Sequence, residues 1–148
     1  MTIKITSTAF DNGKMIPDRY ACKGVNISPP LTWEQVSGAK TYAVICDDSD
    51  GKWTHWIIHN IPSNLTSLPE WVMEREQLEN GAKQGFNDFG TIGYRGPCPS
   101  NGTHRYCYRI YALNITIPLP AGSTKKKLLE AMNGNIIDEG LLMGCYDR

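Results

Sequence analysis

The sequence has neither an excess of charge of one sign nor a long apolar segment. Lys and Arg total 15 and Asp and Glu total 15, so the 148-residue chain has no formal net charge at pH 7. A neutral chain lacks the strong positive field with which general nucleic-acid binders and anionic-membrane binders attract their partners. No apolar run approaches the roughly 18–20 residues that a membrane-spanning helix needs. We therefore expect neither nucleic-acid binding nor membrane insertion.

Paired cysteine motifs are also missing. The chain has five cysteines, an odd number, and no two of them form a C-x-x-C pair. This argues against a zinc site built from cysteines and against a complete disulfide framework. The first seven residues lack the apolar run of a signal peptide. The sequence thus predicts reduced, mostly buried thiols in a cytoplasmic protein.

Motifs of common enzyme classes are missing as well. There is no G-x-S-x-G, no Walker loop, no G-x-G-x-x-G and no H-E-x-x-H. His55 and His59 fall on one predicted strand and one face, about 13 Å apart, which is too far for two ligands of one metal. We expect no metal and no cofactor. Cys98, in a loop near His104, leaves a cysteine nucleophile open, although a small buried thiol is the favoured interpretation.

The chain does have enough apolar sequence for one folded domain, at 41% hydrophobic residues. Short strand-like segments alternate with Gly- and Pro-rich turns, and one helix with Ser123 or Thr124 as N-cap is predicted over about 124–133. The pattern predicts a mainly β, antiparallel β-sandwich over residues 1–148, with one or two short peripheral helices. Residues 63–92 read as a long irregular stretch, with at most one helical turn near 69–78. The predicted strands are 42–46 and 56–58, both buried, then 104–113, which is the strongest, and a last strand at 140–146.

Polar side chains converge where three predicted strands begin or end. Asp48 follows the first buried strand, His55 begins the second, and His104 begins the third with Tyr106 on the same face. The Gly- and Pro-rich loop 93–102 offers backbone N–H groups that can surround an anion. Such donors suit a phosphate or another oxyanion, with Asp48 fixing a histidine tautomer and raising its pKa. Ordinary, satisfied core or surface histidines remain the alternative.

An ordered set of motifs points to a known family. The chain resembles the phosphatidylethanolamine-binding protein family, also called Raf kinase inhibitor-like proteins, in its compact bacterial and archaeal form. Ser49 and Ser100 each stand where the family has a proline. The matching segments are Ser28-Pro29-Pro30-Leu31-x-Trp33, Asp48-Ser49-Asp50, His55-Trp56 with Asn60-Ile61-Pro62, Gly85-x-Asn87-Asp88-x-Gly90, Gly93-Tyr94-x-Gly96-Pro97-x-Pro99, Gly102-x-His104-Arg105-Tyr106 and Gly144-Cys145-Tyr146.

The resemblance implies a β-sandwich with a small surface cavity for phosphate, phosphorylated small molecules and phospholipid head groups. Seven residues of this chain match positions that form the ligand cavity in the family. Asp48, His55, His104 and Tyr106 would line the cavity, Gly96 and Pro97 would shape its wall, and Tyr146 would close it. The family also includes modulators of kinases and proteases, so a protein partner of either kind is an expectation.

We therefore expect a small binding protein rather than an enzyme. Acid–base turnover of phosphoryl esters by histidine and Asp48 is the rival function. A protein-interaction module using residues 63–92, and a homodimer, remain open. A pocket built from histidine, phenol and N–H donors should bind phosphate more tightly as pH falls from about 8 to 6. His55→Ala and His104→Ala should weaken binding, and His59→Ala should do little.

Overall fold

The computed structural model describes residues 2–148, which form two antiparallel sheets and one short helix. The smaller sheet has the order β1-β2-β5, and the larger has the order β6-β4-β3-β7-β8. A 3₁₀ turn covers Asp18–Tyr20. The strands are β1 (Ile5–Thr6), β2 (Leu31–Trp33), β3 (Thr41–Asp48), β4 (Trp53–Pro62), β5 (Ser67–Leu68), β6 (Lys83–Gln84), β7 (Thr103–Leu113) and β8 (Ile136–Asp147), and the helix is α1 (Lys125–Met132).

The larger sheet is buried on both faces, which explains why its central strands are apolar at successive positions. One face packs against the smaller sheet, and the core between the sheets includes Trp33, Val44, Trp56 and Tyr108. The other face packs against α1 through Leu128 and Met132. Thr124 caps the helix by accepting a hydrogen bond from the Lys127 N–H. The predicted mainly β sandwich with a peripheral helix is confirmed.

Strand β8 lies at the edge of the larger sheet and is protected by the N-terminal part of the chain. The N–H of Ile3 donates to the carbonyl of Glu139, and the N–H of Ile16 donates to the carbonyl of Cys145. An exposed edge would offer unpaired backbone groups to other chains. These early segments occupy part of that edge. In residues 2–148, no helix has both the length and the apolar character that crossing a membrane requires.

One local prediction was wrong. Strand β4 does not stop at Asn60. It continues to Pro62 through a register shift, with Asn60 in the left-handed region at φ 57°. Residues 69–78 contain no helix, which agrees with the prediction of at most one helical turn, and the segment 63–92 is held to the sheets by β5 and β6.

Register shifts also separate His55 from His59. His55 packs against Tyr106 of the core between the sheets, whereas His59 reaches the carbonyl of Leu119 beside the helix-side core. The two side chains therefore lie on opposite faces of the larger sheet. The prediction that they share one face is wrong, because β-bulges break the two-residue period of the strand.

The cysteines depart from the predicted reduced state. Cys22 and Cys98 form a disulfide, with 5.4 Å between their Cα atoms and 76 residues between them in sequence. Cys46 and Cys107 are free and buried, and Cys145 is free and half-buried. An odd count and the lack of a C-x-x-C pair gave no sign that two distant loops meet. The cytoplasmic prediction rested partly on unpaired cysteines and loses that support.

Candidate functional site

Three neighbouring strands bring the predicted site residues together. In the pairing of β3 with β7, Asp48 lies opposite Tyr106. In the pairing of β3 with β4, Cys46 faces Trp56 and Asp47 faces Thr54, so His55 is the extra residue of a bulge. Bulges commonly redirect a side chain next to a functional site. Here the His55 ring lies edge-on to the Tyr106 ring, with 5.2 Å between their centroids.

These side chains line one open hollow of about 220 Å³, here called the anion pocket. The structure brings together four of the predicted residues: Asp48, His55, His104 and Tyr106. Residues 98–100 form one wall. The full lining is Asp48, Gly51, Trp53, His55, Phe89, Cys98, Pro99, Ser100, His104 and Tyr106.

Asp48 is a buried carboxylate whose two oxygens are both engaged. Its Oδ2 lies 2.6 Å from His104 Nδ1, and its Oδ1 accepts hydrogen bonds from the N–H groups of Asp50 and Gly51. Because a carboxylate accepts, His104 donates from Nδ1. Its Nε2 makes no hydrogen bond within residues 2–148. The Asp48 carboxylate thus fixes both the tautomer and the orientation of His104.

The loop after β3 has Ser49 where the family has a proline, and contacts with β7 hold it in place. Arg105 pairs with Asp50 at 2.9 Å, and hydrogen bonding from that guanidinium lowers the pKa of Asp50 to about 2. The N–H and hydroxyl of Ser49 both donate to the Arg105 carbonyl. Contacts with β7 therefore position the turn that surrounds the Asp48 carboxylate.

His55 is almost fully buried and its proton position is also fixed. Nδ1 lies 2.6 Å from the carbonyl oxygen of Arg95, which can only accept, so Nδ1 carries the hydrogen. Burial lowers the pKa of His55, although the Arg95 carbonyl and the Asp48 charge oppose this. His55 is therefore neutral near pH 7 with Nε2 as an unpaired acceptor. The Asp48 charge does raise the pKa of His55, in the direction expected of a neighbouring carboxylate, but desolvation is larger and the net shift is downward.

The hydroxyl of Tyr106 is a buried donor with no partner. Within the described chain, its Oη makes no hydrogen bond of ordinary geometry. Burial, followed by the nearby Asp48 charge, raises the pKa of Tyr106 far above 10, so the phenol keeps its proton. Buried polar atoms without partners are uncommon in folded proteins, and those at a pocket mark where a ligand or water belongs.

Three predicted residues, Gly96, Pro97 and Tyr146, are not among those that line the pocket. Gly96 packs so closely that an added Cβ would lie 1.9 Å from the Tyr20 carbonyl oxygen. Pro97 accepts a hydrogen bond from the N–H of Cys22. Tyr146 lies opposite His104 in the β7–β8 register, but its hydroxyl donates to Asp18.

The structure adds an aromatic rim that the sequence reasoning missed. Phe89 lies 5.3 Å from the His55 ring and 5.9 Å from the Trp53 ring, measured between centroids. The guanidinium of Arg95 lies 5.5 Å from the Phe89 centroid, which brings a cation near the pocket. The position of Trp53, two residues before His55, was the available signal. Cys98 in the wall is the disulfide partner of Cys22.

The residues that the structure describes do not form a metal centre. Within residues 2–148, no group of three His, Cys, Asp or Glu side chains is placed to hold a metal ion. The anion pocket instead combines one engaged carboxylate, two oriented imidazoles and a phenol. Chemically, such a set can hold an oxyanion through hydrogen bonds.

Comparisons with known proteins agree with this architecture. The family model described as phosphatidylethanolamine-binding protein matches residues 6–147. A UPF0098 protein of Methanothermobacter thermautotrophicus is 49% identical over 99% of both chains. The UPF0098 protein PH1269 of Pyrococcus horikoshii is 42% identical over all of this chain and 78% of its own.

Two crystal structures are similar along nearly their whole length. YbcL of Escherichia coli, described as a member of the mammalian PEBP family, superposes with a TM-score of 0.91 at 33% identity, covering 100% of this chain and 99% of its own. CT736 of Chlamydia trachomatis, described as a homologue of phosphatidylethanolamine-binding protein, has a TM-score of 0.89 at 40% identity, with 99% and 98% covered. The chain therefore belongs to the phosphatidylethanolamine-binding protein family.

Proposed function

We propose that this chain is a binding protein whose anion pocket holds phosphate and phosphoryl groups. Three polar atoms that have no hydrogen-bond partner in residues 2–148 support this most strongly: Nε2 of His55, Nε2 of His104 and Oη of Tyr106. All three belong to residues that line one hollow. A tetrahedral oxyanion offers several oxygens to which such groups can bond at the same time.

The protonation states favour a phosphate monoanion. Neutral His55 offers an acceptor at Nε2, which suits the P–OH of a singly ionised phosphate or monoester. Tyr106 offers an O–H donor because burial keeps its phenol protonated. When His104 gains a proton, it keeps its bond to Asp48 and donates from Nε2. Such charge-assisted hydrogen bonds are roughly twice as strong as neutral ones.

Binding rather than turnover is the activity that these contacts favour. Cys98, the cysteine in the pocket wall, is bonded to Cys22 and is therefore no nucleophile. Ser100 also lines the pocket, but its hydroxyl makes no hydrogen bond to either histidine. A nucleophile needs a base within hydrogen-bonding reach. Acid–base hydrolysis of phosphoryl esters by histidine and Asp48 is the rival function, but the Asp48 carboxylate already accepts hydrogen bonds from His104 and from two backbone N–H groups.

The ligand source is a phosphorylated small molecule or a phospholipid head group, which share the phosphoryl group. Trp53 and Phe89 beside the histidines would contact whatever group the phosphate carries. A kinase or protease partner, as in other members of the family, would be a further role of the same surface.

Calorimetric titration with methyl phosphate, dimethyl phosphate and sulfate tests the proposed protonation pattern. Methyl phosphate has a P–OH near pH 6, whereas the diester and sulfate have no proton to give to His55. We expect methyl phosphate to bind at least about tenfold more tightly than sulfate, the scale of one hydrogen bond to a charged group. Equal binding of all three probes would contradict the proposal, and release of methanol would favour the enzyme.

Self-association through residues 63–92 is a second candidate. Trp71 is 58% exposed and Met73 is 52% exposed, while the backbone between them is anchored to Ser28. Large apolar side chains held outward by a fixed backbone are typical of contact surfaces. Sedimentation velocity of the protein and of a W71S/M73S variant tests this. A dimer that the variant loses would support the role, and a monomer in both would exclude the homodimer.

A further inference from the structure

A second hollow adjoins the anion pocket at Asp48 and is lined mainly by side chains from the opposite face of the larger sheet. Asp47 and Asp48 are successive residues of β3, so their side chains leave opposite faces of the sheet. Across the ladder, Asp47 faces Cys107 and Asp48 faces Tyr106. The hollow, here called the basic hollow, has a volume of about 260 Å³. Its lining is Asp47, Asp48, Ser49, Lys52, Cys107, Arg109 and Lys125.

Cations from three separate elements meet in the basic hollow. Lys125 begins α1, Arg109 lies on β7, and Lys52 lies in the turn after β3. Lys125 pairs with Asp47 at 2.7 Å. Within the described residues, neither Lys52 nor Arg109 makes a side-chain hydrogen bond or an ion pair. The positive charges of Lys52 and Arg109 are therefore available to a ligand.

Nearby acids do not neutralise these two cations. The Asp48 carboxylate is engaged on the other face by His104 and the N–H groups of Asp50 and Gly51. Glu139 shares an adjoining hollow with Arg109, but within residues 2–148 no ion pair joins the two side chains. The free thiol of Cys107 also forms part of the lining. Within the lining itself, the three cations Lys52, Arg109 and Lys125 exceed the two carboxylates by one positive charge.

Asp47 has an unused acceptor. Its Oδ2 accepts from the Lys125 ammonium, while Oδ1 is buried and has no partner within residues 2–148. A carboxylate can accept about four hydrogen bonds, so one bond leaves most of its capacity unused. An orphaned buried acceptor beside unpaired cations indicates a ligand that brings both a donor and an anion.

We infer that the basic hollow binds small carboxylates that carry a hydroxyl or ammonium group beside the carboxylate. Arg109 presents a planar fork that matches a carboxylate, and Lys52 adds a second cation. The ligand's hydroxyl or ammonium group donates to Asp47. The volume of the hollow suits a ligand of a few heavy atoms, since pockets for drug-sized ligands begin at about 300 Å³. The two hollows share Asp48, but the inference rests on Asp47, Lys52 and Arg109, none of which lines the anion pocket. It therefore does not depend on the function of that pocket.

Amide NMR titrations with glycine, glycolate and acetate test the inference in a buffer free of phosphate and carboxylates. Glycine and glycolate carry the donor beside the carboxylate, and acetate lacks it. We expect both to shift the signals of Cys107 and Arg109, with dissociation constants about tenfold or more below that of acetate. The same titrations in H104Q protein, with the anion pocket altered, should give the same constants.

Variants of the hollow complete the test. Arg109→Gln should weaken glycine and glycolate about tenfold or more, the scale of a charged hydrogen bond. Asp47→Asn should remove the preference over acetate, whereas Lys126→Gln, on the same helix but outside the lining, should change nothing. If shifts fall on His104 and Tyr106 and vanish in H104Q, the ligand occupies the anion pocket and the inference is wrong. Equal binding of acetate, or no shifts at tens of millimolar ligand, overturns it as well.

Discussion

His104 Nδ1 lies 2.6 Å from Asp48 Oδ2, and this contact determines which nitrogen of His104 faces the anion pocket. The Asp48 carboxylate holds the Nδ1–H tautomer, so Nε2 faces the pocket without a hydrogen when the ring is neutral. The same carboxylate places a negative charge beside an anion site. A neutral His104 therefore has no hydrogen to donate to the anion, and the Asp48 charge repels the anion. A protonated His104 donates from Nε2 and balances the Asp48 charge.

Asp48→Asn should therefore reduce the pH dependence of phosphate binding. The introduced amide can still accept from the loop N–H groups through its oxygen, while its NH₂ donates to His104 Nδ1 and moves the imidazole hydrogen to Nε2. We expect the variant to bind methyl phosphate at pH 8 at least as tightly as the parent does, with a smaller gain on acidification to pH 6. Calorimetry at both pH values measures this, and imidazole ¹⁵N shifts report the tautomer. A variant that binds only at pH 6 would contradict the assigned role of Asp48.

Tyr106→Phe should separate binding from stability. The Tyr106 hydroxyl is buried without a hydrogen bond, so its removal relieves a desolvation penalty and leaves no cavity larger than one oxygen. We expect the free energy of unfolding to stay the same or rise by about 1 kcal/mol, while phosphate affinity falls about tenfold. Urea unfolding and calorimetry give the two values. Lower stability with unchanged affinity would show that the hydroxyl serves the fold instead.

The Cys22–Cys98 disulfide should stabilise both the fold and the pocket wall. It closes a loop of 76 residues, and Cys98 adjoins Pro99 and Ser100 on the pocket surface. Replacing both cysteines with serine should cost about 2–5 kcal/mol of unfolding free energy and weaken phosphate binding. Cys145→Ser, at a free and half-buried position, is the matched control and should change neither. Alkylation of the unfolded protein without reductant should label three thiols; labelling of all five would contradict the bond.

Acid should destabilise the protein through two histidines. Burial lowers the pKa of both His55 and His59 in the folded chain, while the unfolded chain titrates near 6.5. The unfolded state therefore binds more protons, and stability falls as pH drops. This contribution is fully present above about pH 6.5 and is lost as pH falls through the folded values. The Tm of an H55Q/H59Q variant should decline less between pH 7 and 5 than that of the parent, and equal declines would exclude this cause.

Much of the site could be predicted because it depends on local sequence. Asp48, His55, His104 and Tyr106 adjoin strongly apolar strands, and antiparallel pairing brings such strand ends to one place. The helix at Lys125–Met132 was likewise predictable from its cap and its apolar stripe. These features repeat with the periods of strand and helix, which a sequence displays directly.

The remainder depends on long-range packing that no local pattern contains. The pairing of Cys22 with Cys98 joins loops 76 residues apart. The lowered pKa of His55 follows from burial beneath Phe89 and the wall, which outweighs the carboxylate nearby. Tyr146 bonds to Asp18, a residue 128 positions earlier, rather than facing the pocket. Each outcome requires the assembled fold.

Calorimetric titration of methyl phosphate into three histidine variants at pH 6 and pH 8 tests the central claim most directly. His55→Ala and His104→Ala should each weaken binding by more than about 1 kcal/mol, the scale of a lost hydrogen bond to a charged group. His59 is fully buried against Leu119, away from the pocket, so His59→Ala should leave affinity nearly unchanged once circular dichroism shows that the variant is folded. In the parent protein, affinity should rise from pH 8 to pH 6. Equal losses at all three histidines, or an affinity indifferent to pH, would contradict the account and locate the anion elsewhere.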